Sequence, residues 1–599
     1  MRGARSSPGP AVSNIETQIA ATLLPSWLRT FVRTREAGLV LAAVVIGVAS
    51  GGLVALMGWT VQVMHEALFG LPSGQRLSAT PHVAAWRIML VPLAGGFVMT
   101  ALARYARRMS GRLADAIEAN ALFGGRLSLT GSLLVTVQTL MSCGTGASVG
   151  LEAGYAQISS AVASRLGLSL AARRGDLRLL VACGAAAAIA AAFGAPLAGA
   201  FYGFEVVLGT YTVAALAPVA TSALVASQIV RSFESEGFLI KPESLGTVGA
   251  GDFGHVVAIG VLCGFAGILL MLAVAGTETA FKRLRVPAPW RTPLGGLMIG
   301  AMGLLTPQVL GAGHGAMTVD LVASLAPPTI LGIILLKGTA AAVSLGSGFR
   351  GGLFYASLLI GALIGRLYAD VGFQIYPDLA FDPDVAALTG MAALGTGVIG
   401  APITMTALAL ETTGNFAITV AALIAAVVSS LIVRELFGYS FATWRFHLRG
   451  ESIRGPHDIG WMRELSVKSL MRADVRTAPT DLSLREARLK FPLGSAKQIA
   501  VVDSGGRYAG MVMLDDLHTA PLDRGGDELA SLLRFKDRML LPWMAVREAL
   551  DLFEKSEADA LVVVDHEATR RIVGTMTEAH ALRRYGEELE RQQPDNVLR

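Results

Sequence analysis

Cys143-Gly-Thr-Gly-Ala-Ser-Val-Gly-Leu-Glu152-Ala-Gly-Tyr-Ala-Gln157 sets one carboxylate in a glycine-rich, otherwise apolar turn that leads into a helix. An ionised side chain inside a membrane segment is costly and marks an ion pathway or a proton relay. Glycines let a backbone approach an ion closely, and the unpaired N–H groups of a helix start favour anions. A carboxylate that caps its own helix N-terminus is the plainer reading. The two combine: a carboxylate resting on those amides fills the place of a mobile anion, and so acts as a gate.

The surrounding composition supplies the membrane. The chain has 599 residues, 53% hydrophobic and 16% charged, with mean hydropathy +0.55. Residues 1–450 hold 28 Lys and Arg and 20 Asp and Glu, whereas residues 451–599 hold 22 and 25. The first part is about 11% charged and the second about 32%, against about a quarter for soluble proteins. A membrane body is therefore followed by a water-soluble tail. Net charges of +8 and −3 leave no basic nucleic-acid domain. Cys143, Cys183 and Cys263 lie in apolar stretches without CxxC spacing, which argues against a disulfide framework or a metal site. The first twenty residues lack the charged, apolar and cleavage regions of a signal peptide.

Long apolar runs predict spanning helices at Gly38–Val63, Val83–Leu102, Ala215–Val230, Val256–Ala275, Gly295–Leu310, Ile330–Leu345 and Ala417–Val433. Between them lie Gly-interrupted pieces too short to span alone: Leu129–Leu140, Val181–Ala192, Leu197–Leu208, Leu353–Leu363, Ala386–Leu394 and Ile403–Leu410. Irregular backbone at membrane depth is tolerated only where protein buries it or water lines it, so these pieces predict an internal pathway. Arg29, Arg33 and Arg35 before the first span, and Arg104, Arg107, Arg108 and Arg112 after the second, place both termini in the cytosol.

An internal repeat organises the body. Phe193-Gly194-Ala195-Pro196-Leu197, with Glu205 nine residues after its proline, returns as Ile399-Gly400-Ala401-Pro402-Ile403, with Glu411 nine after its proline, at an offset of 206. Gly150-Leu151-Glu152 matches Gly352-Leu353-Phe354 at an offset of 202. Duplicated halves with discontinuous helices are the signature of a transporter whose site lies between the repeats.

The order of GLEAG at Glu152, FGAPLAG with Glu205, LGAGHG at Leu310–Gly315, GGLF at Gly351–Phe354 and GAPIT with Glu411 resembles the CLC chloride channels and chloride/proton antiporters over nearly all of residues 36–450. The resemblance implies a multi-pass α-helical membrane protein, an inverted repeat of broken helices, that works as a homodimer with one chloride or small-anion pore per subunit. It implies that Glu152 is the gate, and that Gly150, Leu151, Ala153, Gly154, Gly351, Gly352, Leu353, Phe354 and Tyr355 line the anion pathway. Ala356 stands where the family has a proline.

Three departures follow from the same resemblance. The serine of the family's inner site falls on Arg112 without gaps, or on Ser110 with a shift, in Ser110-Gly111-Arg112. The pore tyrosine is replaced by Ala442, with Tyr439 or Phe441 able to substitute only if the register slips. The antiporters carry a second glutamate just after the position of Glu205, and here that coupling position is Val206. Glu205 and Glu411 read as structural helix partners. Channel-like or loosely coupled conduction is expected, with coupled chloride/proton or fluoride/proton antiport as the alternative.

The tail repeats a helix, two strands and a helix over 467–520 and 533–590, between a linker (451–466) and a terminal segment (591–599), the body itself spanning 36–450 after an N-terminal segment (1–35). The duplication resembles a cytosolic α/β pair of CBS domains. Each copy keeps half of the family's nucleotide-holding pair: Met513 with Asp516, then Thr577 with His580. No cofactor is expected, and a nucleotide at the pair has only Asp516 and Thr577 to hold it. A CBS-linked divalent-cation channel, the distant alternative, would present carboxylates to a hard cation, whereas the body offers Glu152 in an amide-rich turn that favours anions. An intramembrane hydrolase would need a partner for His314, which has no serine or zinc partner by motif. An Ala/Gly/Arg-rich chain of this kind fits a bacterial inner membrane.

Overall fold

A computed structural model describes residues 25–80, 82–109, 114–233, 246, 248–323, 325–375, 377, 381–441, 443–444, 466–520 and 529–584. The chain divides into two compact units, Met1–Asp458 and Ile459–Arg599.

The first unit is built of helices. Its first half runs α1 (Glu36–Phe69), α2 (Ala85–Met109), α3 (Ala116–Leu122), α4 (Leu129–Gly144), α5 (Glu152–Ser169), α6 (Arg174–Phe193), α7 (Pro196–Tyr202, continued as a π-helical turn Gly203–Leu208) and α8 (Val213–Phe233). Its second half runs α9 (Phe253–Arg283), α10 (Ala288–Leu305), α11 (His314–Val322), α12 (Pro327–Ser347), α13 (Phe354–Ile375), α14 (Pro383–Ile399), α15 (Pro402–Thr413) and α16 (Phe416–Leu436). The short helices fall third and seventh in both halves, which extends the two-motif repeat to the whole unit. Among the described residues, eight helices are long and apolar enough to cross a bilayer.

The two GAP motifs adopt one backbone conformation. Gly194 and Gly400 end α6 and α14 in the left-handed region (φ 63° and 83°), Ala195 and Ala401 adopt one non-helical conformation (φ −122° and −128°, ψ 87° and 78°), and Pro196 and Pro402 open the next helices. Glycine pays no Cβ penalty in that conformation, and proline at a first helical position loses only an N–H that has no intrahelical partner. Elsewhere glycine serves close approach. A Cβ on Gly361 would lie 2.3 Å from the Gly390 carbonyl oxygen, and one on Gly390 would lie 2.2 Å from that of Gly361. Small residues of this kind let membrane helices pack backbone to backbone, here α13 on α14.

Several segment boundaries differ from the apolar runs. Val181–Ala192 is the buried end of α6, which begins at Arg174 and is long enough to span. Its first turn carries Arg174, Asp176 and Arg178, and those charges hid the helix from an apolar count. Leu353–Leu363 likewise opens α13, which continues past Arg366 and Asp370 to Ile375. The run Gly295–Leu310 breaks at Thr306, whose hydroxyl accepts from the Gln308 N–H as Pro307 starts a separate 3-10 turn; α10 is not among the eight spanning helices.

The second unit holds two β/α copies. The first has α17 (Val467–Leu470), β1 (Thr477–Pro479), α18 (Leu484–Lys490), β2 (Gln498–Val502), β3 (Tyr508–Met513) and α19 (Leu514–Thr519). The second has α20 (Val546–Ser556), β4 (Ala560–Val564), β5 (Ile572–Thr577) and a helix over 578–584. β1 pairs parallel to β2 and β2 antiparallel to β3, while β4 pairs antiparallel to β5 and an isolated parallel bridge joins Leu540 to Val563. Both hairpins shift register one residue before the strand end, at Val501/Val502 and Val563/Val564. Asp503 and Asp565 then accept backbone N–H bonds from the turns, Asp503 from Gly505 and Arg507, and Asp565 from His566 and Arg571. α17 packs with the second copy: its Val467 N–H donates to Met544, and Val467 and Leu470 join the core of Val546, Phe553 and Leu561.

Candidate functional site

α5 begins at Glu152, two residues after Gly150, which forms an isolated antiparallel bridge with Gly352. Gly150 and Gly352 exchange backbone hydrogen bonds, each N–H donating to the other's carbonyl at 3.0 Å, so the unwound segments of the two halves pair. Side chains brace them: the Ser148 N–H donates to Ser344 Oγ and the Arg350 N–H to Ser142 Oγ, both at 3.0 Å. The Glu152 side chain folds back over this pair and is 5% exposed. A Cβ on Gly150 would sit 1.9 Å from Glu152 Oε2, and one on Gly352 would sit 3.2 Å from it. The carboxylate thus rests where only two glycines leave room. The backbone N–H groups of Glu152 and Tyr355 face it, while Oε2 is buried without a hydrogen-bond partner. A buried acceptor left unmatched costs about 1–3 kcal/mol, so the side chain is held in place without being fully satisfied.

Two cavities meet here. One, of about 670 Å³, is lined by Leu151, Tyr155, His65, Arg76 and Gly311–Gly315. The other, of about 540 Å³, is lined by Glu152, Ala153, Gly351–Phe354, Asp115, Gln157, Tyr202, Val206, Phe441 and Trp444. Leu151 and Glu152 are chain neighbours that face different cavities. The partition between the cavities therefore runs through the start of α5.

The structure thus gathers most of the predicted pathway. Gly351, Gly352, Leu353, Phe354, Ala153 and Glu152 line one cavity and Leu151 the other. Gly150, Gly154 and Tyr355 line neither. Gly150 is taken up by the bridge, a Cβ on Gly154 would lie 3.1 Å from Thr139, and Tyr355 is buried with its ring against His314 and its hydroxyl donating to Met317 Sδ. Ser110, Gly111, Arg112 and Ala442 lie outside the described residues. Phe441, next to Ala442, does reach the cavity.

Glu205 and Glu411 occupy matching positions. The Glu205 carboxylate accepts from the backbone N–H groups of Ile403 and Thr404 and from the Thr404 hydroxyl, at 2.9, 2.7 and 2.6 Å. Glu411 accepts from the N–H groups of Leu197 and Ala198 at 2.8 and 2.9 Å. Each half thereby caps the GAP helix of the other, satisfying amides that a helix start leaves unpaired. Val206, beside Glu205, lines the cavity with methyl groups.

Some residues of the site were not read from sequence. Lys337 is fully buried in α12, and its ammonium donates to the Gly311, Val309 and Gln308 carbonyls at 2.8, 3.2 and 3.4 Å. The single lysine inside the apolar run Ile330–Leu345 was the available signal. Asp115 and Tyr202 carried no such signal, because nothing along the chain places them beside Glu152. In the tail, Asp516 is engaged by Arg534 at 2.8 Å, and Thr577 Oγ1 accepts from the His580 N–H at 3.4 Å.

A membrane unit of two paired halves, with helix starts turned toward a buried carboxylate between two cavities, defines an ion-transport protein. The voltage gated chloride channel family model matches residues 94–434, and a CBS domain model matches residues 467–523. The chain belongs to that chloride channel family, the CLC proteins. It is 32% identical over 401 residues, 66% of its own length and 96% of the relative's, to the voltage-gated ClC-type chloride channel ClcB of Escherichia coli K12. Among solved structures it resembles a slow cyanobacterial Cl−/H+ antiporter (TM-score 0.60, 24% identity, 69% of this chain and 97% of the other). It also resembles a eukaryotic CLC transporter (TM-score 0.57, 19% identity, 90% and 97%). The protein is integral to the membrane and carries CBS sequence in its tail.

Proposed function

We propose that this protein carries chloride across a bacterial inner membrane, along a path that joins the two cavities at Glu152. The observation that carries the reading is the divided lining: Leu151 faces one cavity and Glu152 the other. The Glu152 carboxylate is the gate. Ionised, it holds the amides that chloride needs; protonated, it releases them. The cavity with Glu152 is the inner one, since it adjoins Asp115, shortly after the basic end of α2 with Arg104 and Arg108, and Trp444 at the end of the membrane unit. Both termini are then cytosolic, and the protein works as a homodimer with one path per subunit. Conduction is loosely coupled to protons, because Val206 offers no titratable group at the coupling position. The test is chloride efflux from proteoliposomes with a pH reporter. The reading predicts rapid chloride flux with few protons per chloride. Uphill proton movement driven by chloride at a fixed ratio identifies an exchanger, and no chloride flux at all removes the reading.

A further inference from the structure

We infer that Asp115 and the Tyr202 hydroxyl, which line one cavity with the gate, deliver protons from the inner solution to Glu152 by a route that bypasses Val206. This rests on the reading of Glu152 as the gate of an anion path.

The argument starts from the inner cavity. Asp115, Tyr202 and Glu152 line the same space, and Val206 lies on that wall one helical turn after Tyr202. Asp115 is half-buried and caps α3, its Oδ1 accepting from the Glu118 N–H at 2.9 Å. Its place is fixed by that bond. Tyr202 is on the wall of the same cavity, on the short helix that carries Val206 one turn later. Gln157 and Thr139 add polar groups to the lining, with Gln157 Nε2 donating to the Ala114 carbonyl and to Ser132 Oγ. A cavity of about 540 Å³ lined by these groups has room and polar partners for water.

The other charges around Asp115 are differently engaged. Glu278 lies at the cavity mouth, half exposed and paired with Lys282 at 2.6 Å, and Arg350 contributes a permanent cation to the lining. On the elements packed against α3, Glu205 is held by the amides of α15, Arg174, Asp176 and Arg178 sit on the first turns of α6 away from the cavity lining, and Arg165 is on α5; Glu118, on α3 itself, is fully buried. Among these carboxylates Asp115 lines the cavity with Tyr202 and Glu152, without an ion-pair partner among the described residues like the Lys282 that engages Glu278.

The step balances. Protonated Asp115 gives its proton to the Tyr202 oxygen, directly or through cavity water, as the tyrosine's own proton passes to the Glu152 carboxylate. Glu152 becomes neutral and leaves the helix-start amides. Tyr202 ends as it began, and the Asp115 carboxylate takes a new proton from the inner solution.

The experiment measures chloride and proton flux of the full-length protein in proteoliposomes, with pH set separately on the two faces. Asp115→Asn keeps an N-cap of similar strength but has no proton to give. Tyr202→Phe removes only the hydroxyl. Both variants are expected to keep chloride flux when the inner face is acidic enough to protonate Glu152 directly. Both are expected to lose the wild-type rise in flux at mild inner acidification, with proton flux falling about a hundredfold, the lower end of what a positioned acid–base group contributes. Asp115→Glu, which restores an acid, should recover the response. If Asp115→Asn does not fold, Tyr202→Phe decides alone. Wild-type proton flux and inner-pH response in Tyr202→Phe overturn the route. Absence of chloride flux in the wild type removes the anion-path reading itself, a distinct result.

Discussion

The two halves of the membrane unit carry the same two motifs, and the motifs have fared differently. At the GAP helices the copies remain equivalent: Glu205 caps α15 and Glu411 caps α7, through backbone amides in each case. At the paired strands they diverge. Gly150 and Gly352 still exchange hydrogen bonds, but the second residue after each is Glu152 in one half and Phe354 in the other. The kept symmetry fastens the halves together. The broken symmetry puts one carboxylate at the boundary of two cavities, and that carboxylate is the gate proposed above.

The comparison breaks most visibly at the paired glycines. A Cβ on Gly150 meets Glu152 Oε2 at 1.9 Å, whereas one on Gly352 has 3.2 Å. Gly150→Ala should cost about 1–3 kcal/mol, as overpacking does, and should abolish the pH response of chloride flux by displacing the carboxylate. Gly352→Ala should keep the response, with a loss at the low end of that range, about 1 kcal/mol. Thermal unfolding in detergent and flux against pH check both. Equal behaviour of the two variants would mean that the halves are not functionally distinct at the bridge.

A smaller effect is expected at the caps. Glu205→Ala and Glu411→Ala each strip a carboxylate from a helix start and should each lower stability by about 1–2 kcal/mol. Glu205→Ala should sit at the upper end, because the Thr404 hydroxyl also loses its acceptor. The measurement is the unfolding midpoint of both variants side by side. A Glu205→Ala protein of unchanged stability and altered proton flux would make Glu205 a relay group and end the equivalence.

How much of this was legible follows from the kind of signal each feature leaves. The GAP and GLE/GLF repeats were readable because αL glycines and first-position prolines are dictated locally, and a duplicated spacing survives in sequence. Glu152 was readable because a carboxylate is conspicuous among Gly, Ala and Val. The full lengths of α6 and α13 were not, since Arg174, Asp176, Arg366 and Asp370 interrupt the apolar pattern while the helices continue. Asp115 and Tyr202 became visible only in three dimensions, where residues 37 and 50 positions from Glu152 in opposite directions share its cavity. The exchanged caps were anticipated as helix partnership, but their crossing from one half to the other is a property of the fold.

The smallest expected effect lies in the tail, where a second pair of copies can be compared. Asp516 is engaged by Arg534 and has Met513 where a hydroxyl is needed; Thr577 is paired with the His580 amide. On the family pattern neither copy is expected to hold a nucleotide's ribose and phosphate fully. Calorimetric titration of the full-length protein with ATP, ADP and AMP should give no saturable heat at micromolar nucleotide. Micromolar binding of any of them would show that one copy assembles a site that the paired residues do not reveal.

The central claim, that Glu152 gates the path, is tested most directly by chloride flux against pH in Glu152→Gln. The sign follows from the chemistry: protonation neutralises the carboxylate and frees the amides, so wild-type flux should rise as pH falls. Glutamine mimics the neutral form at every pH. The account predicts flux in Glu152→Gln at or above the acidic wild-type level and flat from about pH 7.5 to about pH 4, a window that takes in the ordinary histidine value of about 6.5 and the glutamate value of about 4.3. A Glu152→Gln protein whose flux still climbs with acid as the wild type does would place the gate elsewhere.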